Sequence, residues 1–385
     1  MSQKSLAKKA EELLALADIQ IGGSRPWDIQ VRNPRLYKRI LASGSLGAGE
    51  AYMDGWWDCE ALDVMLAKII EANLEKKVKI KTFFWEALKA KTFNFQSKNR
   101  AFEIGQKHYD IGNDLYERML DEKMNYTCGY WSAPKNPAKN LDEAQVAKLD
   151  LVCRKIGLKK GDRVLDIGCG WGNSAKYMAE KYGASVVGIT VSQEQKKLGD
   201  KLCAGLPVEI RLQDYRDIDP STLLGTSERF DHIISLGMFE HVGVKNYREY
   251  MEIACRSLKE GGIFLLHTIG GAYSVGGTDP WIAKYIFPNS MLPSVAQIGR
   301  SIEGLFTLED WHNFGADYDR TLMCWYENFN NHWDEIKEKY DDRFYRMWRF
   351  YLLTCAASFR TRANNQLWQI VLSKGGVKGG YRTVR

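Results

Sequence analysis

Between residues 163 and 267 short apolar runs alternate with helix-patterned segments, and this alternation limits the fold more than any other feature of the chain. Residues 163–167, 185–189, 208–212, 230–235 and 262–267 read as strands, and 173–181, 192–203 and 247–257 as the helices between them. Strands joined by helices make right-handed βαβ crossovers, so an α/β domain is expected, with a parallel sheet covered by helices on both faces. After His267 the alternation stops. Residues 270–300 read as an irregular insertion rich in Gly and Pro, the kind of segment that forms a lid or substrate wall. Two helical stretches follow, near 321–339 and 341–362, and a last strand at 366–372.

Residues 1–100 carry no such alternation and read as mostly helical, broken by a turn-rich patch at 43–50. The expected division is therefore a small N-terminal helical domain, 1–100, for docking on lipid or membrane, and a catalytic domain, 101–385. No apolar run reaches the ~18 residues of a membrane span. The first residues also lack the apolar block of a signal peptide. The eight cysteines form no CxxC pair and no zinc-ligand spacing, so free thiols, a cytoplasmic setting and no metal are expected.

The net charge of +6 is modest, but it is concentrated. Residues 76–100 hold eight basic side chains and one acid, Glu86, interleaved with Phe83, Phe84, Trp85, Phe93 and Phe95. That mixture fits an anionic membrane surface. Nucleic acid is the rival partner, because the same cations neutralise phosphates, and a solvated helix face is the structural alternative.

The strongest local signal is the run 164–172, Val-Leu-Asp-Ile-Gly-Cys-Gly-Trp-Gly. Its glycines let backbone approach a ligand with torsions other residues resist. The spacing is GxGxG, with Asp166 two residues ahead of Gly168, whereas a dinucleotide loop reads GxGxxG. A carboxylate there repels a pyrophosphate and suits a ligand carrying an amine and a sulfonium, as S-adenosylmethionine does. The motif resembles that of class I methyltransferases. Many of those end the second strand on an acid that holds the ribose. Here only neutral groups stand nearby, Thr190, Ser192 and Gln195, and Asp214 follows the third strand where adenine is held.

The resemblance widens along the chain. Residues 108–114, 125–131, 165–172, 188–195, 237–243, 267–270 and 313–318 together are similar to the cyclopropane-fatty-acyl-phospholipid synthases and their mycolic acid cyclopropane synthase relatives. The likeness implies a class I Rossmann-like doubly wound sheet with a smaller helical N-terminal domain. It implies methyl transfer from S-adenosylmethionine to a cis double bond of a phospholipid acyl chain, then proton loss that closes a cyclopropane ring. It further implies a bicarbonate base held by Cys128, Glu240, His267, the Ile269 backbone and Tyr318. Cofactor contacts carry over to Tyr126, Thr127, Gly168, Cys169, Gly170, Thr190, Gln195, Asp214 and Tyr215, beside Asp166 read from the loop. Cys355 matches a position nominated as nucleophile, although the chemistry requires no covalent intermediate and its helical setting reads as a buried small residue. A homodimer at the inner face of the cell membrane, with anionic phospholipid and no nucleic acid as partner, is the corresponding expectation.

The chemistry is consistent with these residue types. Methyl addition to an alkene leaves a carbocation, so the pocket must exclude water and benefits from aromatic faces. Tyr126, Tyr130, Trp131, Phe239, Trp281, Tyr285, Phe287, Phe314 and Tyr318 are available, though each also serves as ordinary core. Glu240 and His267 follow the fourth and fifth strands, where sites in open α/β sheets lie. They read as a direct general base, as ligands of a bound base, or as a structural hydrogen bond. A methyl-branched or methylene product, or a small-molecule methyltransferase, remains an alternative outcome.

Overall fold

The computed structural model describes residues 3–74, 112–218, 229–362 and 364–385. The basic aromatic segment 76–100 and residues 108–111 of the first resemblance motif lie outside the described residues. The chain divides into two compact units. The larger draws on Asn94–Val275, Asn289–Asp317 and Gln366–Arg385, and the smaller on Met1–Phe93, Gly276–Pro288 and Tyr318–Asn365. The division is thus not the simple one expected at residue 100, because the smaller unit takes two later segments as well.

The larger unit is built on seven strands: β1 (Arg163–Ile167), β2 (Ser185–Thr190), β3 (Val208–Leu212), β4 (Phe230–Leu236), β5 (Leu258–Gly271), β6 (Thr307–Asn313) and β7 (Asn365–Ser373). Their order across the sheet is β3-β2-β1-β4-β5-β7-β6. The first five pair in parallel, as the sequence alternation requires. β6 was not anticipated, and it pairs antiparallel with β7, so the sheet is mixed rather than parallel throughout. Strand order reverses between β1 and β4, which puts a crevice beyond the carboxyl ends of those two strands.

Alternate residues of the strands feed two cores, one on each face. Leu165, Ile167, Val187, Ile233, Phe264 and Ile370 face one core, completed by Tyr250, Met251 and Ile298. Val164, Val186, Ile234, Leu265 and Val371 face the other, under Leu149, Val152, Ala175 and Met178. Each such buried side chain contributes roughly 1.5–3 kcal/mol before entropy is counted. The helix Leu141–Ile156 covers the second core. It begins where the Asn140 side chain accepts the Glu143 amide hydrogen, and it ends at Gly157 in the left-handed region.

The insertion is more ordered than its composition implies. β5 runs on to Gly271. A helix, Pro280–Tyr285, starts where the Asp279 carboxylate accepts the amide hydrogens of Trp281 and Ile282. A second, Val295–Ile302, opens with a capping box between Ser294 and Gln297.

In the smaller unit the helix Asp342–Thr361 packs on Leu62–Glu71, and Arg360 bridges Asp63 at 2.7 Å and Asp319 at 2.9 Å. The patch at 43–50 does hold a turn: the helical stretch Leu36–Met53 is kinked at Gly44 (φ 56°, ψ −131°), where two helices join. Its small residues also serve close packing: a Cβ on Gly49 would stand 2.4 Å from the Trp281 ring.

Candidate active site

The crevice at the strand reversal is a pocket, and the glycine loop forms its floor. The amides of Gly168 and Cys169 both donate to the Ile189 carbonyl, each at 3.0 Å, tying the loop to the end of β2. Gly168, Gly170 and Gly172 all have positive φ, at 82°, 56° and 80°. At Gly168 a side chain is excluded twice over, because a Cβ would also lie 2.8 Å from Met238. All ten residues named for the cofactor line this one pocket: Tyr126, Thr127, Asp166, Gly168, Cys169, Gly170, Thr190, Gln195, Asp214 and Tyr215.

The neutral end of β2 is organised. Thr190 donates its hydroxyl to Gln195 Oε1 at 2.7 Å and accepts the Ser192 amide hydrogen at 3.2 Å. Asp214 is held by Arg216, whose Nε and Nη2 donate to Oδ1 at 2.7 Å and Oδ2 at 2.9 Å. Asp166 is buried, and its Oδ2 has no partner among the described residues. Burial pushes its carboxyl up to about 7, against the pull of the Lys148 charge. An unpartnered buried carboxylate and a loop clear of side chains fit the amine and sulfonium of S-adenosylmethionine.

Sequence reasoning missed several residues of this wall. Lys148, Met238 and His241 line the pocket as well. Lys148 was legible in principle, since it stands on the buried stripe Leu141, Ala144, Gln145, Lys148, Leu149, Val152 of its helix. A lysine in such a stripe is rarely there for packing alone.

The candidate base adjoins the pocket. Leu236, a pocket residue, pairs with His267 across β4 and β5, and the Gly237 amide donates to the His267 carbonyl at 2.9 Å. Gln369 donates its Nε2–H to His267 Nδ1 at 3.4 Å, which leaves the imidazole proton on Nε2. Burial, then the positive charges of Lys148 and Lys155, hold His267 well below its ordinary range, so it is neutral. Glu240 Oε1 accepts the Ile269 amide hydrogen at 2.6 Å, and burial pushes its carboxyl up to about 7. The Ile269 amide is therefore committed to Glu240. Both Glu240 Oε2 and His267 Nε2 are buried and lack a partner among the described residues. Cys128 is fully buried and donates its thiol to the Gly129 carbonyl at 3.1 Å.

Tyr318 and Cys355 belong to the smaller unit. The Tyr318 ring packs on Phe359 at 4.5 Å and Trp325 at 6.0 Å. Its surroundings push the Cys355 thiol up to about 12, far from the range of a nucleophilic cysteine. Of the aromatics considered for a carbocation, Phe314 meets the His267 ring at 5.9 Å and Tyr130 meets Phe314 at 5.3 Å. Phe239 stacks on Tyr247 in the core, and Trp281 packs on Phe350 in the smaller unit.

This sheet order, with a glycine loop and an acid at the end of β1, defines a class I S-adenosylmethionine-dependent methyltransferase. The family model for mycolic acid cyclopropane synthetase matches residues 96–370, and the chain belongs to that family. It is 53% identical to the cyclopropane-fatty-acyl-phospholipid synthase of Escherichia coli K12, over 98% of this chain and 95% of that protein. A probable fatty acid methyltransferase of Pseudomonas putida is 34% identical over 88% of this chain and 85% of its own length. Among solved structures, the cyclopropane synthase MmaA2 of Mycobacterium tuberculosis aligns with a TM-score of 0.63 and 28% identity, covering 71% of this chain and 98% of that one. The mycolic acid cyclopropane synthase CmaA1, solved with SAH and CTAB, aligns equally well, with a TM-score of 0.63 and 28% identity over 71% of this chain and 98% of its own.

Proposed function

We propose that the chain is a cyclopropane-fatty-acyl-phospholipid synthase that uses bicarbonate as its base. The observation that carries this reading is the pair of buried orphan atoms, Glu240 Oε2 and His267 Nε2, beside the cofactor pocket. A methyltransferase acting on a simple nucleophile has no need of a second proton acceptor in a dry site. Ring closure after methyl addition does need one.

Bound S-adenosylmethionine supplies an electrophilic methyl on a sulfonium. Asp166 and the loop 168–170 orient that group, and alignment at near-attack distance supplies up to about 7–11 kcal/mol. The cis double bond attacks, leaving a carbocation on the acyl chain. The buried, largely apolar surroundings keep water from trapping it. His267 offers its Nε2–H as a donor, and Glu240 Oε2 is an acceptor. A bound bicarbonate would be held by the His267 Nε2–H and by Glu240 Oε2, and would supply the base. Cys128 is the remaining member of the proposed ligand set within the larger unit. Glu240 Oε2 would receive the hydroxyl proton of that base as the base takes up the proton released on ring closure.

The acyl chain reaches the site at a membrane surface. The charge and aromatic content of 76–100 support docking on the anionic inner face of the cell membrane. Among the described residues, no helix is long and apolar enough to cross a membrane. Neutralising Lys76, Lys77, Lys79 and Lys81 should weaken binding to anionic liposomes and flatten its salt dependence. A homodimer is part of this proposal, and light scattering of the active species tests it.

The decisive experiment incubates the protein with S-adenosylmethionine and liposomes of a cis-monounsaturated phospholipid. Mass spectrometry should show a gain of one CH₂ per modified chain that resists hydrogenation. A gain that hydrogenates means a methylene or methyl-branched product. No gain, with cofactor still bound, means a different acceptor.

A further inference from the structure

The cofactor pocket contains a buried cation that the reaction does not use. Lys148 is 1% exposed and lines the pocket near the middle of the helix Leu141–Ile156. Its Nζ donates to Thr127 Oγ1 at 2.9 Å and to Asn125 Oδ1 at 3.1 Å. An ammonium has three protons, so one is left over. No carboxylate lies within ion-pairing distance of it among the described residues. Among its neighbours, Asp121 accepts from the Asn125 amide and side chain at 2.7 and 2.8 Å, and Gln145 donates to the Thr127 carbonyl at 2.8 Å, while Gln145 Oε1 has no partner among the described residues.

A buried charge is tolerated when it is paired, and this one has no ion-pair partner among the described residues. Asp166, in the same pocket, has the complementary deficit, a buried Oδ2 without a donor among the described residues. A cation and an anion in one pocket, neither with an ion-pair partner among the described residues, match a zwitterion. S-Adenosylmethionine carries one at its amino-acid end, where its single negative group is the α-carboxylate.

We infer that Lys148 is the specificity determinant for the α-carboxylate of the cofactor, binding it while Asp166 faces the α-ammonium. The inference rests on the assignment of this pocket to S-adenosylmethionine. Burial holds Lys148 down to about 8 and lifts Asp166 to about 7, as expected of charged groups waiting for a partner. Thr127 and Asn125 aim the ammonium, which explains why the segment carrying Tyr126 lies against this helix.

The test is calorimetric binding to the full chain of three probes. These are S-adenosylhomocysteine, its decarboxylated form, which keeps the amine, and 5′-methylthioadenosine, which lacks both groups. In the wild type, removing the carboxylate should cost about thirtyfold or more in affinity, the loss typical of a desolvated charge pair. Lys148→Met should lose the same factor for S-adenosylhomocysteine and nothing further for the decarboxylated probe. Binding of 5′-methylthioadenosine should stay within about twofold, which also proves the variant folded. Lys148→Arg should recover part of the loss. Equal weakening of all three probes would mean that Lys148 only supports residues 125–127, and would overturn the inference, as would no weakening of any. Failure of the wild type to bind all three would instead overturn the cofactor assignment.

Discussion

Glu240 and Ile269 are joined by a single 2.6 Å bond, from the Ile269 amide at the end of β5 to one oxygen of a carboxyl group carried by the turn after β4. The bond fixes the carboxyl and leaves its other oxygen exposed to whatever occupies the site. Glu240→Gln keeps an acceptor for the Ile269 amide and removes the proton acceptor. It should lower kcat by about 10²–10⁴. S-Adenosylhomocysteine affinity should stay within about twofold, measured by calorimetry beside lipid mass spectrometry.

Activity should fall as pH drops through about 7, because Glu240 acts as the carboxylate and burial raises it to about that value. His267 sits well below its ordinary range, so no second limb near pH 6.5 is expected. The stability linkage has its own sign. A carboxyl raised in the folded state binds more protons there than in the unfolded chain. Its contribution is full below about 4.5 and is lost as pH rises through about 7. Glu240→Gln should remove that part of the slope in denaturant titrations run from pH 4.5 to 7.5.

Gly237→Ala places a Cβ at a φ of 74°, 2.7 Å from Thr127 Cγ2. The backbone term alone costs about 1–2 kcal/mol. Thermal unfolding should shift down, and cofactor affinity should drop with it as Thr127 moves. Adding Thr127→Ser relieves the clash but not the torsion, so recovery should be partial.

Cys355→Ala should retain activity within about threefold. With its thiol near 12, almost no thiolate exists at neutral pH, and the proposed chemistry calls for no covalent step. A loss beyond tenfold in the lipid assay, with the fold intact, would restore this cysteine to the mechanism.

In the smaller unit, Arg346 donates to the Tyr52 and Trp57 carbonyls and lies 4.0 Å above the Tyr52 ring. Arg346→Met should cost about 2 kcal/mol in urea unfolding of the full chain. The change should act on stability with little effect on S-adenosylhomocysteine affinity.

The parts legible in the sequence are those where local pattern and burial agree. β1 and its loop are such a case, since a short apolar strand meets three glycines that no other torsion demand explains. β6 escaped because it is an edge strand whose residues, Thr-Leu-Glu-Asp-Trp-His-Asn, are mostly polar. The patch at 43–50 was half legible, because glycine marks both turns, as at Gly44, and close approaches, as at Gly49. Here the partner that needs the close approach, Trp281, lies more than two hundred residues away. Lys148 was legible as a lysine on the apolar stripe of its helix, but not as a pocket residue, because the groups it meets, Asn125 and Thr127, lie on a separate segment. For Glu240 and His267 the chain order gave the strand ends, but not the 2.6 Å bond or the tautomer, which arise from groups on β5 and β7.

The smaller unit is assembled from three stretches of chain, and Asp63 meets Arg360 across 297 positions. On the ribosome its first helices emerge long before the helix Asp342–Thr361 exists to cover them. Their apolar faces must wait through the synthesis of nearly the whole protein, an interval of roughly tens of seconds. The larger unit's parallel strands β1 to β5 arrive together in the meantime. Maturation should therefore proceed from the middle of the chain outward, with the beginning and the end closing last and together. A nascent chain halted near residue 300 would expose Leu62 and Met65 to chaperones. One released after residue 361 would not.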